Sequence, residues 1–402
     1  MHVKGGRKME ETLNRKLEQY YEEMVSIRRH LHANPELSFQ EKETARFIQT
    51  YYKDLNIPVR TGVGGGGVVA TIEGKQPGRT VALRADFDAL PIQDQKQVPY
   101  RSTVKGVMHA CGHDGHTALL LVLAKTLKEM ENELIGNYVF IHQHAEELAP
   151  GGAKPMIEDG CLEGVDAIFG THLWAPYPTG EIYCSPGPIT ASADRFQITI
   201  KGKGGHGAEP HTTKDALIIG AEIVSLFQLI TSRKINPMDS AVVSVGQFKA
   251  GNAFNIIPSE AYLEGTVRTF STELQDFIIE EMERIVKGAC TVHDCDFEFR
   301  YFKGYPPTVN HEKEADYIIS KAEDVVGFQH VRPLNPLMIG EDFSYYLEAV
   351  RGAFFLTGAA PSGTDIPYPH HHPMFDFNEE AMLIAAKTLG YAAIGFQEWR
   401  YF

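Results

Sequence analysis

Apolar residues recur at helical spacing from Leu13 to Lys53 and pause around Asn34-Pro35-Glu36, which predicts two helices joined by a turn. The residues up to Lys8 read as a loose extension ahead of them. Farther on the period shortens, and Val68–Ile72 and Thr80–Ala85 read as buried strands. The Gly64 to Gly67 run before the first of these reads as a hairpin turn, since no Lys-Ser/Thr follows it to make a phosphate cradle. Thr117–Glu131 has helical periodicity, while Tyr138–His142 and Ala167–His172 are short apolar strands that end in polar, metal-capable residues. The alternation predicts an α/β fold, with a central mixed β-sheet covered by helices and a site at the carboxyl ends of its strands.

After Gly187 the order changes. Strands are expected at Arg195–Ile200, Ala241–Phe248, Ala261–Thr269 and Asp294–Phe302, with helices at Asp215–Ile230 and Thr272–Ala289. That β-α-β-β-α-β order is the ferredoxin-like α+β sandwich. It predicts an inserted domain at 189–302 inside a first domain formed by 1–188 and 303–402. The last stretch supplies a helix at Glu312–Val326, a strand at Ala353–Thr357 and a helix from Asn378 to Phe396.

Composition narrows the function classes. With 402 residues and 43% of them hydrophobic, there is material for two packed domains. A net charge of −14 and the lack of a basic stripe argue against nucleic acid as a partner. No run of about 18 consecutive apolar residues is present, so no membrane association is expected. The polar start lacks the apolar core of a secretory signal, and the five dispersed cysteines (Cys111, Cys161, Cys184, Cys290, Cys295) suit a reducing compartment; a cytoplasmic protein is expected.

The histidines cluster. Six of the 17 fall between His109 and His172, two at His206 and His211, and three at His370 to His372. Most of these windows also hold a thiol or carboxylate, the donor mixture that borderline divalent metals accept. In Cys111-Gly112-His113, two donors on a glycine-containing loop can face one ion. In His142-Gln143-His144-Ala145-Glu146-Glu147, adjacent carboxylates end a strand, so one can bind metal while the other moves a proton. His172 closes a third strand, and Pro369-His370-His371-His372-Pro373 supplies a fourth window. Each window alone has an ordinary structural explanation, but their coincidence in one domain points to a metal centre. The HExxH helix of zincins, the HxE…PCxxC of zinc deaminases and the GxSxG of serine hydrolases are all missing. His142-Gln143-His144 is similar to the HxH of barrel amidohydrolases, yet the inserted unit and too few βα repeats argue against a barrel.

Several ordered motifs carry a resemblance over about Arg28 to Phe396. They are Arg29-His30-Leu31-His32 with Asn34-Pro35-Glu36, Arg84-Ala85-Asp86-Phe87-Asp88-Ala89-Leu90-Pro91, the Cys-Gly-His-Asp-Gly-His run, Ala145-Glu146-Glu147, Gly204-Gly205-His206, Asn255-Ile256-Ile257-Pro258, Gly340-Glu341-Asp342-Phe343 and His371-His372-Pro373. Together they resemble the M20 family of metallopeptidases and amidohydrolases, within it the N-acyl-amino-acid and auxin-conjugate branch. The resemblance implies Cys111, His113, Glu147, His172 and His371 as ligands of two divalent ions, zinc, manganese, nickel or cobalt. Cys111 stands where the wider family has a bridging aspartate. His144 stands where relatives have proline, and it is not expected to be a ligand.

The same resemblance implies Glu146 as general acid/base and His206 as a donor to the substrate carbonyl. Asn255 and Arg268 are the expected substrate-binding residues, and the inserted unit is expected to act as lid and dimerisation domain of a homodimer or tetramer. The expected activity is hydrolysis of small-molecule N-acyl amino acids. Two alternatives stand beside it: a dipeptidase or aminopeptidase with the same site, and a non-catalytic metal-binding or assembly protein, for which Glu146, His206 and Arg268 would have no use.

Overall fold

The computed structural model describes residues 3–363 and 366–399. They divide into two compact units, one made of residues up to Gly187, Val309–Asn335 and Asp342 onward, the other of Pro188–Thr308 and Pro336–Glu341.

The first unit opens with three helices, α1 (Val3–Gln19), α2 (Tyr21–Ala33) and α3 (Lys42–Asp54). Two helices after a loose start are expected from spacing; instead the helix already runs from Val3 and is interrupted at Tyr20. Met1 and His2 lie outside the described residues. The Asn34-Pro35-Glu36 turn serves the next helix, because the Glu36 carboxylate accepts the Glu43 and Thr44 backbone N–H groups at 3.1 and 2.8 Å. These are donors that a helix start leaves without an internal partner.

Strands β1 (Val59–Val63) and β2 (Gly67–Glu73) pair antiparallel around the glycine run. Gly64 has φ +62°, and a Cβ there would stand 2.5 Å from the Met156 backbone nitrogen. Glycine is required there by close approach as well as by conformation. Next come β3 (Gln76–Asp86), α4 (His113–Glu129), β4 (Ile135–Gln143), α5 (Ala153–Glu158), β5 (Ala167–Trp174), β6 (Ile182–Tyr183) and β7 (Gly187–Thr190).

The second unit contains β8 (Asp194–Lys201), β9 (Gly205–His206), α6 (Ala216–Leu229), β10 (Ala241–Ala250), β11 (Ile256–Ile257), β12 (Glu260–Thr269), α7 (Thr272–Val292) and β13 (Asp296–Phe302). Its antiparallel sheet has the order β10-β12-β8-β13. Alternate residues of β8, namely Phe196, Ile198 and Ile200, are buried in a core shared with Ile219, Ile223 and Phe227 of α6 and Ile278, Met282 and Val286 of α7. Sheet alternation on one side and a helical stripe on the other give the two-layer arrangement. Asp215 and Ser271 cap α6 and α7 through their side-chain oxygens.

Although no unbroken apolar run of that length exists, the helical stretch Ala216–Lys234 is long and apolar enough, by composition, to cross a membrane. Within this unit its inner face packs on the sheet, leaving Leu217, Ile218 and Leu229 exposed.

The chain then adds β14 (Thr308–Asn310), α8 (Glu312–Val326), β15 (Val331–Arg332), α9 (Phe343–Ala349), β16 (Gly352–Gly358) and α10 (Glu380–Gly395). Residues 336–341 group with the second unit instead of the first, because the Leu337 backbone bonds to Ile189 and Ala191. The hydrophobic pattern does not signal that excursion.

The first unit's sheet is mixed, in the order β1-β2-β4-β3-β5-β16-β6-β15, with β4, β3, β5 and β16 mutually parallel. Parallel strands covered on both faces read as continuous apolar runs, as Ala167–Phe169 and Phe354–Leu356 do. α4 is buried along most of its length against this sheet and its neighbouring helices. The carboxyl ends of the adjacent β4, β3 and β5 thereby bring Gln143, Asp86 and His172 to one rim.

Candidate metal centre

Five of the expected ligands converge at that rim. Gly112, at φ +100°, turns the loop into α4, so that Cys111 precedes the helix and His113 and His116 share one face of its first turn. Cys111 Sγ lies 3.3 Å from His172 Nε2. Beyond β4, Ala145 takes φ +52° and donates its N–H to the Glu41 carboxylate at 2.8 Å. This kink ends the alternation of the strand, and His113, Glu146 and Glu147 offer ligand atoms within 4.8 Å of one another. His371, at φ +66°, bonds through its N–H to the Ala110 carbonyl at 2.8 Å, and its Nε2 lies 3.3 Å from Glu147 Oε2.

The donors form two groups with one member in common. Cys111, His113 and His172 are one, Cys111, Glu147 and His371 the other, each with ligand atoms within 4.8 Å. A thiolate shared by two triads is the donor set for a pair of cations. Two orphaned atoms support the fit: His113 Nε2 and Glu147 Oε1 are buried and have no hydrogen-bond partner among the described residues. The far nitrogens are already engaged, His113 Nδ1 by the Asp88 carbonyl and carboxylate at 3.0 and 3.1 Å, and His172 Nδ1 by the Leu173 carbonyl at 3.0 Å. Such outer bonds fix the tautomer that leaves Nε2 for a metal.

Electrostatics agree with this. Burial, followed by Glu147, Glu146 and Asp86, pushes the Cys111 thiol well above its usual range. Burial opposes the charged form of His113, yet Asp86, Asp88 and Glu147 outweigh it and raise the group to about 10. The His113 shift reports buried carboxylates short of positive charge, which a cation supplies, whereas burial comes first among the causes at Cys111.

Neighbouring histidines have other work. His370 stacks on Trp174 at 4.3 Å and accepts the Ala175 N–H, while His372 stacks on Tyr368 and accepts the Met374 N–H. His144 is buried edge-on to Phe39 and belongs to none of the donor groups. His116 and Asp86, which sequence reasoning passed over, bond at 2.6 Å and form a further group with His113. Their only sequence signal is the i,i+3 spacing of His113 and His116 together with the Arg-Ala-Asp strand end.

The remaining expected site residues, His206, Asn255 and Arg268, lie in the second unit. His206 of β9 faces Ile256 of β11, and the Gly207 N–H bonds to the Asn255 carbonyl at 2.8 Å, so His206 and Asn255 share one exposed ribbon. Arg268 is partly buried on β12 and bonds to the Val267 carbonyl at 3.0 Å and to the Thr266 hydroxyl. His211 is exposed in the turn at Pro210–Thr212.

The signature of Peptidase family M20/M25/M40 matches residues 82–394, a span that includes the whole donor cluster. The chain belongs to this family. YhaA of Bacillus subtilis (strain 168), provisionally named an amidohydrolase, is 57% identical over 390 residues, covering 97% of this chain and 98% of YhaA. The N-acyl-L-amino acid amidohydrolase of Geobacillus stearothermophilus is 47% identical over 308 residues, with 75% and 82% of the two chains covered. Among solved structures, the Bacillus subtilis YXEP protein, described as a dinuclear metal binding peptidase from the M20 family, superimposes with TM-score 0.82 at 36% identity, covering 95% of this chain and 99% of that one. This M20 chain is accordingly a metal-dependent hydrolase acting on amides.

Proposed function

We propose that this M20 chain hydrolyses small N-acyl amino acids to a carboxylate and a free amino acid, using two divalent ions. The observation that carries the reading is Cys111 standing in both donor triads, with Glu146 beside the ligand Glu147. Cys111, His113 and His172 would hold one ion, and Cys111, Glu147 and His371 the other. Bound there, the pair lowers the pKa of a water and polarises the amide carbonyl. A thiolate is a softer donor than a carboxylate, which favours zinc, nickel or cobalt over magnesium or calcium, with manganese the hardest of the four expected metals.

Glu146 accepts the proton of the attacking water as its oxygen bonds to the amide carbon. When the carbon–nitrogen bond breaks, Glu146 returns that proton to the departing amine. Around it, Asp88 holds the His113 ring and the Glu147 N–H, which fixes where both donors point. In the second unit, His206 is assigned as a hydrogen-bond donor to the carbonyl oxygen, Asn255 as a polar contact and Arg268 as the partner of the substrate carboxylate. The named activity of the Geobacillus relative supports an acylated amino acid as substrate.

Exposed Leu217, Ile218 and Leu229 on α6 support association of two chains as a homodimer. The five cysteines, all free, support a reducing, cytoplasmic setting.

The test is turnover by zinc- or manganese-loaded protein on matched N-acetyl, N-benzoyl and dipeptide derivatives of the same amino acids. Acylated substrates should be hydrolysed faster. Preferential cleavage of dipeptides with a free amine would replace this reading with a peptidase.

A further inference from the structure

The Arg29-His30-Leu31-His32 motif and the residues around it take no part in the chemistry above, yet they converge on it. Arg28 of α2 is fully buried, and each nitrogen of its guanidinium bonds to a different carboxylate. Nε donates to Asp114 at 2.9 Å, Nη2 to Asp376 at 2.7 Å and Nη1 to Glu379 at 3.1 Å. Asp114 directly follows His113, and Asp376 and Glu379 follow His371 on the C-terminal segment. The planar group lies 4.7 Å from the Tyr100 ring and 4.5 Å from the Phe377 ring, which leaves it one orientation.

We propose that Arg28 is a positioning residue that sets the spacing between the two ligand-bearing segments, the start of α4 with Cys111 and His113 and the C-terminal segment with His371. The proposal rests on the reading of those three residues as ligands.

A buried ion network seldom stabilises a fold more than well-packed apolar groups would, so mere cohesion does not explain three carboxylates gathered on one cation. What the guanidinium adds is geometry. Its nitrogens point in fixed directions, and a lysine, with one charged centre, cannot hold three carboxylates at those separations. The partners are themselves secured: Asp114 accepts from His32 Nδ1 at 2.7 Å and Asp376 from the Tyr100 hydroxyl at 2.8 Å. Glu379 is gripped by Arg29 through two bonds of 3.0 and 2.7 Å. The two ligand segments also meet at the His371 to Ala110 backbone bond and where the Phe377 ring lies close against Gly115.

The experiment compares wild-type protein with Arg28→Lys, Asp376→Asn and a control, Ile318→Val, which trims a buried residue of α8. Each is loaded with zinc, and three quantities are read: zinc release into a competing chelator, kcat and KM separately, and the melting temperature. The expected result is zinc release about tenfold or more faster in Arg28→Lys and Asp376→Asn, with kcat falling and KM within about twofold of wild type. Ile318→Val should lower the melting temperature and leave release unchanged.

If Arg28→Lys does not fold, Asp376→Asn decides alone, since it removes one anchor at a partly exposed position. A folded variant of either kind that releases zinc at the wild-type rate overturns the proposal. So does equal acceleration in Ile318→Val, which would mean that general stability sets the rate. Failure of the ligand assignment itself shows elsewhere, as wild-type protein that binds fewer than two ions.

Discussion

Replacing Asp88 by asparagine tests how far the centre depends on residues that never touch an ion. Asp88 is 1% exposed. Its Oδ2 accepts from the Ser38 hydroxyl at 2.7 Å and the Glu147 N–H at 3.0 Å, and its Oδ1 faces His113 Nδ1 at 3.1 Å. An amide has a single acceptor oxygen. If that oxygen keeps Ser38 and Glu147, the new NH2 confronts the N–H of His113; if the amide turns over, the NH2 confronts the N–H of Glu147. Either orientation loses one charge-assisted bond, worth about 1.5–3 kcal/mol. At about 1.4 kcal/mol per tenfold, metal affinity should fall by roughly 10- to 100-fold, the range usual for groups that orient a ligand. Chelator competition at fixed pH measures this, with circular dichroism to confirm that the variant is folded. A folded Asp88→Asn protein that binds zinc within about twofold of wild type would refute the reasoning.

Further expectations concern other parts of the first unit. Glu146→Gln should lower kcat by about 10²- to 10⁴-fold while both ions stay bound; parallel loss of metal and activity, read by metal analysis, would show that Glu146 is a ligand. Chelator treatment should abolish amide hydrolysis and added zinc or manganese restore it, with product release followed by chromatography; activity that survives complete metal removal would contradict the two-ion reading. Burial pushes His142 down to about 3, while its Nε2 accepts a hydrogen bond from the Tyr52 hydroxyl at 2.7 Å. The unfolded chain protonates this residue near its ordinary value, so its contribution to stability is present above about 6.5 and is lost as pH falls toward 3. Measured by urea unfolding, His142→Gln should lose less stability over that window than wild type, and an unchanged slope would argue against a neutral buried imidazole.

What could be read ahead of the structure follows a physical divide. Alternation in Asp194–Lys201 and helical periodicity in Thr272–Val292 depend only on local sequence, so the ferredoxin-like order of the second unit was visible in the pattern. The donor windows were visible because thiol, imidazole and carboxylate side chains are rarely grouped without cause. Long-range decisions were not visible. Periodicity near Pro369 to Pro373 does not say which of three consecutive histidines faces the centre, and only the family resemblance singled out His371; its left-handed backbone and its bond to Ala110 are the physical basis of that choice. Asp86 and His116 gain their roles only when β3 lies beside α4. α5 and α9 are too short, at 6 and 7 residues, to show a period. The glycines at Gly5 and Gly6 hide the start of α1, because their helix propensity is poor.

The order of the donors along the chain also bears on how the enzyme matures. Cys111, His113, Glu147 and His172 leave the ribosome together, whereas His371 follows only after the whole second unit has been made. At ordinary translation speeds of about 5–20 residues per second, that interval is about 10–40 s. During it, the nascent polypeptide owns a complete Cys111–His113–His172 triad but lacks one arm of the other. On the proposed ligand assignment, the donors of one seat are thus all synthesised early, whereas its companion stays one arm short until synthesis is nearly finished.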